Sequence, residues 1–519
     1  MPRHAAILAL SLLAAPAAAQ DLNIAVGGAF TSMDPHFHNL TPNSAITQHL
    51  FDRLLEPDAN LRPVPGLAAE YRAISPTEWE FKLRPGIRFH DGSPLTADDV
   101  AFTFARIPQV QGSPASYAFY TRPVREVVVV DPQTVRLVTA TASPLIPAMV
   151  QGFAIIGRRQ GEGMTTADYN SGRAAIGTGP YRLVSYTPGD RAVFQRNTEW
   201  YGGNVGWNRV TYRFIGNDSA RLAALKAGDV DLIDQVPTRD VAELRRDGRL
   251  AIHSATSLRN IYLYLDQWRD QTPFATDLQG RPLPSNPLRD LRVRRALSLA
   301  INRQGIAAQV MDGQATPSGQ LLPAGAVGHD PALTPDTQDL DAARRLLAEA
   351  GYPQGFQISL HGPNDRYVND AQILQAIAQM WARVGVRTRV EALPSSAFFS
   401  RSGRDEFSVG LLGWGTGTGE PDSPLGNLLA TIEPARGRGA SNRSHYSNPR
   451  FDALVDQALG TIDLAAREAV YREATGLAIR EQAIIPLHHQ VNIWASRRGL
   501  AYEARNDERT LAMSLRPAP

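Results

Sequence analysis

One arginine in the carboxyl-terminal half of the chain lies where an α/β protein places ligand contacts. Arg366 belongs to the segment LHGPNDRYVNDAQILQAIAQMW at residues 360–381, which leads from a predicted strand into a predicted helix. Ligands commonly bind at the edge of a sheet where strands end and helices begin. A guanidinium there can hold a carboxylate through two parallel hydrogen bonds. The alternative is a loop arginine that pairs with Asp365 or Asp370.

Two histidine pairs have spacings that could serve a metal ion. His36 and His38 would face the same side of an extended segment, and two imidazoles on one strand face can share a metal. His488 and His489 are adjacent, so their side chains point to opposite sides of an extended chain. The structural interpretation is the stronger one for both pairs. The sequence therefore predicts no metal site and no cofactor, and His38 is kept as a candidate ligand contact.

Motifs of the common enzyme classes do not occur in the sequence. It contains no G-x-S-x-G nucleophile elbow, no Walker A lysine loop and no H-E-x-x-H zinc helix. The glycine-rich segment GWGTGTGEP at residues 413–421 departs from dinucleotide-binding spacing, because Thr418 stands where the last glycine is required. Acidic pairs such as Asp98 and Asp99 fit the first turn of a helix. The sequence predicts a binding protein and not an enzyme.

The elements that must position these residues alternate between strands and helices. Residues 356–360 and 386–390 form predicted strands. Between them, apolar residues recur at helical spacing until Gly385 ends the helix. A second predicted helix runs from Asp339 to a stop at Gly351. This alternation predicts an α/β fold class.

Two blocks in the amino-terminal half carry further structural signals. The first, at residues 50–107, includes LFDRLLEPDANLRPVPGLAAEY and WEFKLRPGIRFHDGSPLTADDVAFTFARI. Residues 79–83 alternate between apolar and polar types, as in a half-buried strand. A turn at Pro85 and Gly86 predicts a hairpin with residues 87–92. Thr96 is then predicted to cap a helix. The second, GTGPYRLVSYTPGDRAVFQRNTEWYGG at residues 177–203, predicts a hairpin around Gly189.

Both blocks resemble the large periplasmic solute-binding proteins of family 5, which serve ABC importers of peptides, nickel and related solutes. Further matches follow in order almost to the end of the chain. The resemblance implies a two-lobed periplasmic binding protein fold with discontinuous domains, hinge strands and an extra subdomain in the first lobe. It implies capture of a peptide-like or other small organic, anionic solute between the lobes and its delivery to a membrane ABC permease. Nickel-chelate binding within the family, and a periplasmic enzyme or chaperone outside it, are the alternatives.

The resemblance also gives an expected division of the chain. Lobe I would comprise residues 21–266 plus 486–519, and its extra subdomain would comprise about residues 40–176. Lobe II would comprise residues 267–485. The strand NIYLYLD and the later segment IIPLHHQVNIW would be the two crossings between the lobes.

Candidate ligand contacts follow from the same resemblance. In dipeptide-binding members, the position of Arg366 holds the peptide carboxylate. An aspartate three residues after a loop tryptophan holds the α-ammonium, and in this chain that position is Gly417. Glu420 or Asp422 could substitute from displaced positions, and Trp414 either stacks on the ligand or packs beneath the loop. The predicted contacts are Arg366, Trp414, Gly415, Thr416, Gly417, Thr418, Glu420, Phe30 and His38.

Composition and the amino-terminal segment suggest a compartment. The chain has 519 residues, a formal net charge of +2 and no cysteine. A balanced charge without a stripe of basic and aromatic residues argues against a nucleic-acid partner. The protein is also expected to be a monomer. Arg3, an apolar run at residues 5–15 and the small residues that end at Ala19 predict a signal peptide over residues 1–20. Without a cysteine to carry a lipid, the mature protein is expected to be free in the periplasm.

Overall fold

The computed structural model describes residues 21–518. The signal peptide predicted for residues 1–20 lies outside the described residues. Within residues 21–518, no helix combines the length and the apolar character that crossing a membrane would require.

One long mixed sheet runs through the molecule and joins its two halves. Its first half contains two parallel pairings, of the opening strand Leu22–Val26 with Leu232–Ile233 and with Arg209–Phe214. Beyond these lies the hairpin Tyr181–Thr187 and Arg191–Arg196, whose turn uses Gly189 at a φ of 73°. The hairpin predicted around Gly189 is therefore confirmed.

The second half of the sheet is built around the strand Gln357–Pro363. This strand pairs in parallel with Arg387–Leu393 on one side and with Val409–Trp414 on the other. The helix Asp370–Ala382 follows the first strand and packs its apolar side, including Ile373 and Trp381, into the core below. The strand and helix predicted on either side of Arg366 are both present.

Two long antiparallel strands connect the halves. Leu250–Leu265 and Ile485–Arg497, the two crossing strands, pair along most of their length. Their register is interrupted between Thr256 and Asn260 and shifts once more between Ile261 and Tyr262. The first of these is the longer interruption. Before the interruption they adjoin the first half through Leu232–Ile233, and after it Leu250–Leu265 pairs with Val409–Trp414. The interruption therefore marks the place where the chain changes from one half to the other.

A separate antiparallel sheet forms the subdomain attached to the first half. Its strands are, in spatial order, Ala68–Ser75, Glu78–Leu83, Thr134–Thr139 and Val124–Asp131. The helix Ala97–Arg106 packs beside it, and its start is fixed by the Asp99 carboxylate, which accepts the backbone N–H of Thr96 at 2.8 Å. The hairpin predicted from residues 79–83 to residues 87–92 is wrong, because Glu78–Leu83 pairs instead with Ala68–Ser75 and Thr134–Thr139.

The remaining helices cover the faces of these sheets. The longer ones are Asp218–Ala227, Leu291–Leu299, Leu340–Glu349, Ser395–Ser402, Pro449–Gly460 and Leu464–Arg480. The shorter ones are Thr41–Thr47, Ala118–Thr121, Ile146–Val150, Arg158–Gly161, Thr166–Asn170, Val241–Leu244 and Arg303–Gly305. Short strands complete the fold at Leu55–Pro57, Pro63–Pro65, Ala275–Thr276, Ala315–Pro317, Leu500–Tyr502 and Leu515–Pro517. Buried apolar clusters lie on both faces of each half of the long sheet and within the subdomain.

Candidate functional site

Two neighbouring cavities lie where the two halves face each other, and a third adjoins them within the second half. The inter-lobe groove, of about 790 Å³, is lined by residues 234–239 and 490–494 of the first half and by residues 309–312 and 366–372 of the second. The hinge cavity, of about 340 Å³, lies beside the crossing strand at residues 257–259 and the loop at residues 415–417. The arginine cavity, of about 270 Å³, lies within the second half. Arg259 lines the first two cavities and Arg366 lines the first and third, so the three spaces adjoin.

Arg366 presents an exposed guanidinium at the edge of the inter-lobe groove. The guanidinium lies over the Tyr367 ring, 5.2 Å from its centroid, and forms no ion pair with any residue of the described range 21–518. Its two acidic neighbours are engaged elsewhere. Asp370 accepts the backbone N–H groups of Arg366 and Tyr367 at 3.0 Å, and Asp365 accepts the backbone N–H of Ser395 at 2.7 Å. The alternative of a loop arginine paired with either aspartate is therefore not what the structure contains.

Arg259 differs from Arg366 although both face the inter-lobe groove. The Arg259 guanidinium lies 3.3 Å from the carboxylate of Glu508, which lines the same groove. A carboxylate this close neutralises much of the guanidinium charge. Arg366 is thus the better placed of the two to attract an anionic group.

The loop after Val409–Trp414 brings the predicted glycine and threonine residues together. Gly415 and Gly417 are exposed and line the hinge cavity together with Thr416. The Thr416 hydroxyl lies 3.0 Å from the hydroxyl of Thr418, which is buried and faces away toward the subdomain. The loop therefore offers mainly backbone groups to the hinge cavity.

Gly417 has room for a side chain. Its backbone lies outside the left-handed region, and a Cβ built on it would meet only the Tyr120 hydroxyl, at 3.2 Å. Glycine is therefore not required here by the backbone conformation. The absence of an aspartate at this position leaves the wall of the hinge cavity beside Tyr120 without the carboxylate that dipeptide binders are expected to carry.

Glu420 pairs with an arginine of the protein and is therefore not free to hold a ligand ammonium. Both of its carboxylate oxygens accept hydrogen bonds from the Arg467 guanidinium, at 2.8 and 2.9 Å, and both side chains are buried. Asp422, the other displaced acid, accepts the Thr418 hydroxyl. Burial, reinforced by the charge of Glu420, raises the pKa of Asp422 to about 7. Neither acid is a fully charged, unpaired partner for an ammonium group.

Trp414 lies between the loop and the core beneath it. Its ring is half-buried, its Nε1–H donates to the Ser423 hydroxyl at 3.1 Å, and the ring also lines the arginine cavity. The side chain therefore packs under the loop on one side and remains accessible on the other. This position is compatible both with stacking of Trp414 on a ligand and with packing of Trp414 beneath the loop.

Phe30 and His38 do not line any of the three cavities. Phe30 is 1% exposed and packs in the first-half core against Tyr186 and Tyr212, so burial replaces the cavity contact expected for it. His38 is partly exposed, and its Nδ1 lies 3.1 Å from the Thr31 hydroxyl. The residue after it, Asn39, lines the hinge cavity. His38 is thus adjacent in sequence to the cavity wall.

The histidine pairs considered as metal ligands are mostly buried in structural roles. His36 is fully buried, with Nε2 at 2.8 Å from the Ala154 carbonyl and Nδ1 at 2.9 Å from Arg106. Burial lowers the pKa of His488 to about 4 and that of His489 to about 3. Within residues 21–518, no cluster of three or more histidine, cysteine, aspartate or glutamate side chains could hold a metal ion.

Several cavity residues were not found by sequence reasoning. Arg443, Tyr367 and Phe399 line the arginine cavity, and Tyr120 and Arg509 line the hinge cavity. Arg443 did carry a signal, because the nearest acidic residues in the sequence are Glu433 and Asp452. The sequence near Arg443 therefore offers it no adjacent acidic partner, whereas Arg366, within residues 21–518, is left unpaired by the fold although acids flank it.

Comparison with known proteins assigns the family. The model of the bacterial extracellular solute-binding proteins, family 5, matches residues 62–433. The chain belongs to this family. It is a solute-binding protein of ABC importers, and the relatives found are binding proteins and not enzymes. The predicted two-lobed fold and the predicted family are confirmed, while the domain boundaries and the site residues stay predictions.

Relatives of this family 5 protein include named glutathione-binding proteins. It is 29% identical to glutathione-binding protein GsiB of Pectobacterium atrosepticum over 91% of this chain and 89% of the relative. It is 28% identical to GsiB of Salmonella typhimurium over 92% and 91% of the two chains. Among solved structures, HbpA2 from Haemophilus parasuis has a TM-score of 0.83 at 23% identity, covering 96% of this chain and 100% of that one. An unliganded open form of the murein tripeptide-binding protein MppA has a TM-score of 0.82 at 21% identity, covering 96% and 98%.

Proposed function

We propose that this family 5 protein binds a small peptide-like solute through a carboxylate, and that it does not require a free α-amino group on that solute. The observation that carries the proposal is the Arg366 guanidinium, exposed at the inter-lobe groove without a carboxylate partner among residues 21–518. A fork of N–H donors in this position suits the planar geometry of a carboxylate.

The second part of the proposal rests on Gly417. An α-ammonium group needs a nearby charged carboxylate, because burying an unpaired charge is costly. Glu420 is paired with Arg467, and Asp422 has a raised pKa. The two acids that line the hinge cavity, Asp507 and Glu508, are paired with Arg505 and Arg259, so no acid replaces the aspartate expected at position 417. A solute whose amino group is absent, acylated or distant from the carboxylate avoids this cost.

The named relatives support a peptide-like solute. GsiB proteins are named for glutathione, a tripeptide whose amino-terminal residue is joined through its side-chain carboxylate. Such a linkage places the α-ammonium far from the position it has in an ordinary peptide. A solute of this kind is compatible with a carboxylate anchor at Arg366 and a neutral Gly417.

The mechanism we propose is closure about the crossing strands. The interrupted register between Thr256 and Asn260 is the candidate hinge, because paired strands without regular ladder bonds bend most easily there. A ligand that touches residues 234–239 of one half and residues 366–372 of the other stabilises the closed state over the open one. The closed form then presents the solute to the membrane permease.

Thr238 and Asp312 already join the halves across the inter-lobe groove. The Thr238 hydroxyl donates to the Asp312 carboxylate at 2.8 Å, and Asn369 donates to the same hydroxyl oxygen at 3.3 Å. These contacts lie beside Arg366 on the groove wall. They would keep the halves near each other while the opposite side of the groove admits the solute.

The proposed setting is the periplasm, where the protein would act as a free monomer after cleavage near Ala19. Amino-terminal sequencing of protein taken from the periplasm should begin close to Gln20 or Asp21. Retention of Met1, or recovery only with membranes, would contradict secretion as a free protein.

Titration and mass spectrometry test the ligand class. Protein purified without denaturation should carry a carboxylate-bearing solute identifiable by mass spectrometry. In calorimetry, N-acetyl-Ala-Gln should bind at least as tightly as Ala-Gln, because the acetyl group removes an ammonium that has no partner. A clear preference for free Ala-Gln, or binding only in the presence of nickel, would overturn the proposal, and the latter result would favour the chelate alternative. Conversion of the bound solute to a product would instead favour an enzyme.

A further inference from the structure

The arginine cavity contains a second guanidinium besides Arg366. Arg443, in the loop before the helix Pro449–Gly460, lines the cavity together with Arg366, Tyr367, Phe399 and Trp414. Two serines, Ser402 and Ser441, complete its polar wall, and no acidic residue lines it. The cavity therefore brings two positive charges together without a carboxylate.

Neither guanidinium is neutralised by the surrounding protein. In the range 21–518, the side chains of Arg366 and Arg443 take part in no ion pair. Asp405, which like Arg443 lies near the Tyr264 hydroxyl, is engaged with His445, whose Nε2 lies 3.0 Å from its carboxylate. Two like charges that share a partly enclosed space repel each other unless an anion lies between them. The arrangement therefore favours an anionic occupant.

The remaining walls set the size and character of that occupant. About 270 Å³ is below the range of about 300–1,000 Å³ typical of sites that hold a whole small-molecule ligand. The space suits one side group of a ligand that is anchored elsewhere. The rings of Tyr367, Phe399 and Trp414 provide apolar contact for the carbon atoms that precede a terminal anion.

From these observations we infer that the arginine cavity is a subsite for a second anionic group of the solute, held by Arg443 while Arg366 holds the first carboxylate. The preferred ligand is thus a peptide-like dicarboxylate. This inference rests on the proposed function, because it assumes that the main part of the solute occupies the adjoining inter-lobe groove. Arg443 would act as a specificity residue, since a neutral analogue would leave its guanidinium without a partner.

A pair of nearly isosteric peptides tests the subsite. N-acetyl-Ala-Glu and N-acetyl-Ala-Gln share the α-carboxylate and differ only in the charge of the terminal side group. Wild-type protein should bind the glutamate peptide about tenfold more tightly, as expected for a charge-assisted hydrogen bond. Arg443→Gln should abolish this preference, because the glutamate peptide loses its partner and the glutamine peptide no longer leaves a guanidinium unpaired. Equal affinities in the wild type, or a preference that persists in Arg443→Gln, would overturn the inference.

Control variants separate this effect from a general change of the protein. Arg450→Gln removes an exposed arginine from the following helix and should keep the tenfold preference. Arg443→Lys retains the charge and should keep part of it. Circular dichroism should be the same for all variants. If Arg443→Gln is misfolded, a reduced preference in a folded Arg443→Lys supports the subsite, and an undiminished preference in that variant overturns it.

Sulfate distinguishes failure of the subsite from failure of the proposed function. If neither peptide binds the wild type, the peptide-like ligand class is wrong. Low millimolar sulfate, compared with chloride of equal ionic strength, should still raise the melting temperature of wild type and Arg450→Gln more than that of Arg443→Gln. An equal response of all three proteins would show that the cavity does not select an anion and would overturn the inference by itself.

Discussion

The carboxylate of Glu420 and the guanidinium of Arg467 form a two-point ion pair, with contacts of 2.8 and 2.9 Å between residues 47 positions apart in the sequence. Because both side chains are buried, this pair connects the glycine-rich loop to the helix Leu464–Arg480. It also removes the most obvious acid of the loop from the set of available ammonium partners. The loop is therefore held by an internal contact, and its exposed surface beside the hinge cavity is neutral.

Glu420→Gln should destabilise the protein without weakening solute binding. Removing one partner of a buried pair leaves the Arg467 charge uncompensated, which costs about 3–5 kcal/mol. Glu473→Gln, which breaks the exposed pair with Arg450, should cost less than about 1 kcal/mol. Urea denaturation and calorimetric titration of both variants provide the measurements. A loss of affinity with unchanged stability would show that Glu420 is a ligand contact after all.

Arg366→Ala should weaken binding of the carboxylate solute by roughly 2–5 kcal/mol, because the ligand anion would enter the groove without its partner. Arg366 makes no ion pair within residues 21–518, so the melting temperature of the unliganded protein should change little. Titration calorimetry with the solute recovered from the native protein measures the loss of affinity. Scanning calorimetry without ligand measures the melting temperature. Arg450→Ala is the matched control, and equal affinity of all three proteins would make Arg366 a structural loop residue.

Gly417→Asp should give the protein affinity for ordinary dipeptides. The backbone is outside the left-handed region and only the Tyr120 hydroxyl is near the new Cβ, so the side chain needs only a small adjustment of that ring. The carboxylate would then face an α-ammonium in the hinge cavity. Titration with Ala-Gln should show at least about tenfold tighter binding than in the wild type. Gly417→Ala tests the steric part alone and should show no gain, and an equal gain in that variant would exclude the electrostatic explanation.

Asp422→Asn should change the pH dependence of stability. The folded-state pKa of Asp422 is raised from 3.8 to about 7, so the folded protein retains a proton that the unfolded chain has already lost between about pH 4 and 7. The protonated carboxyl of Asp422 therefore stabilises the folded protein at the acidic end of this pH window. That stabilisation is lost as the pH rises toward 7. The difference in melting temperature, variant minus wild type, should become more positive from pH 4 to pH 8. Asp341→Asn, at an exposed site, should give a flat difference, and a flat difference for Asp422→Asn would contradict the raised pKa.

Local patterns were sufficient for much of the scaffold. The hairpin around Gly189 and the helix Asp370–Ala382 depend on turn residues and apolar spacing that lie within a few positions of each other. The location of Arg366 between a strand and a helix follows from the same local signals. The missing aspartate at Gly417 is also visible in the sequence once the loop is aligned on Trp414. These features are determined by the sequence because each depends on neighbouring residues.

Only the tertiary structure decided which partners the remaining residues have. The strand Glu78–Leu83 pairs with Thr134–Thr139 and not with residues 87–92, because burial of its apolar face depends on a segment about fifty residues away. Phe30 became a core residue for the same reason, since Tyr186 and Tyr212 cover it. Glu420 is paired and Arg443 is left for the arginine cavity because ion pairs form between side chains that packing brings together, whatever their distance along the chain. The charge of a site therefore depends on which of its residues the fold has already paired.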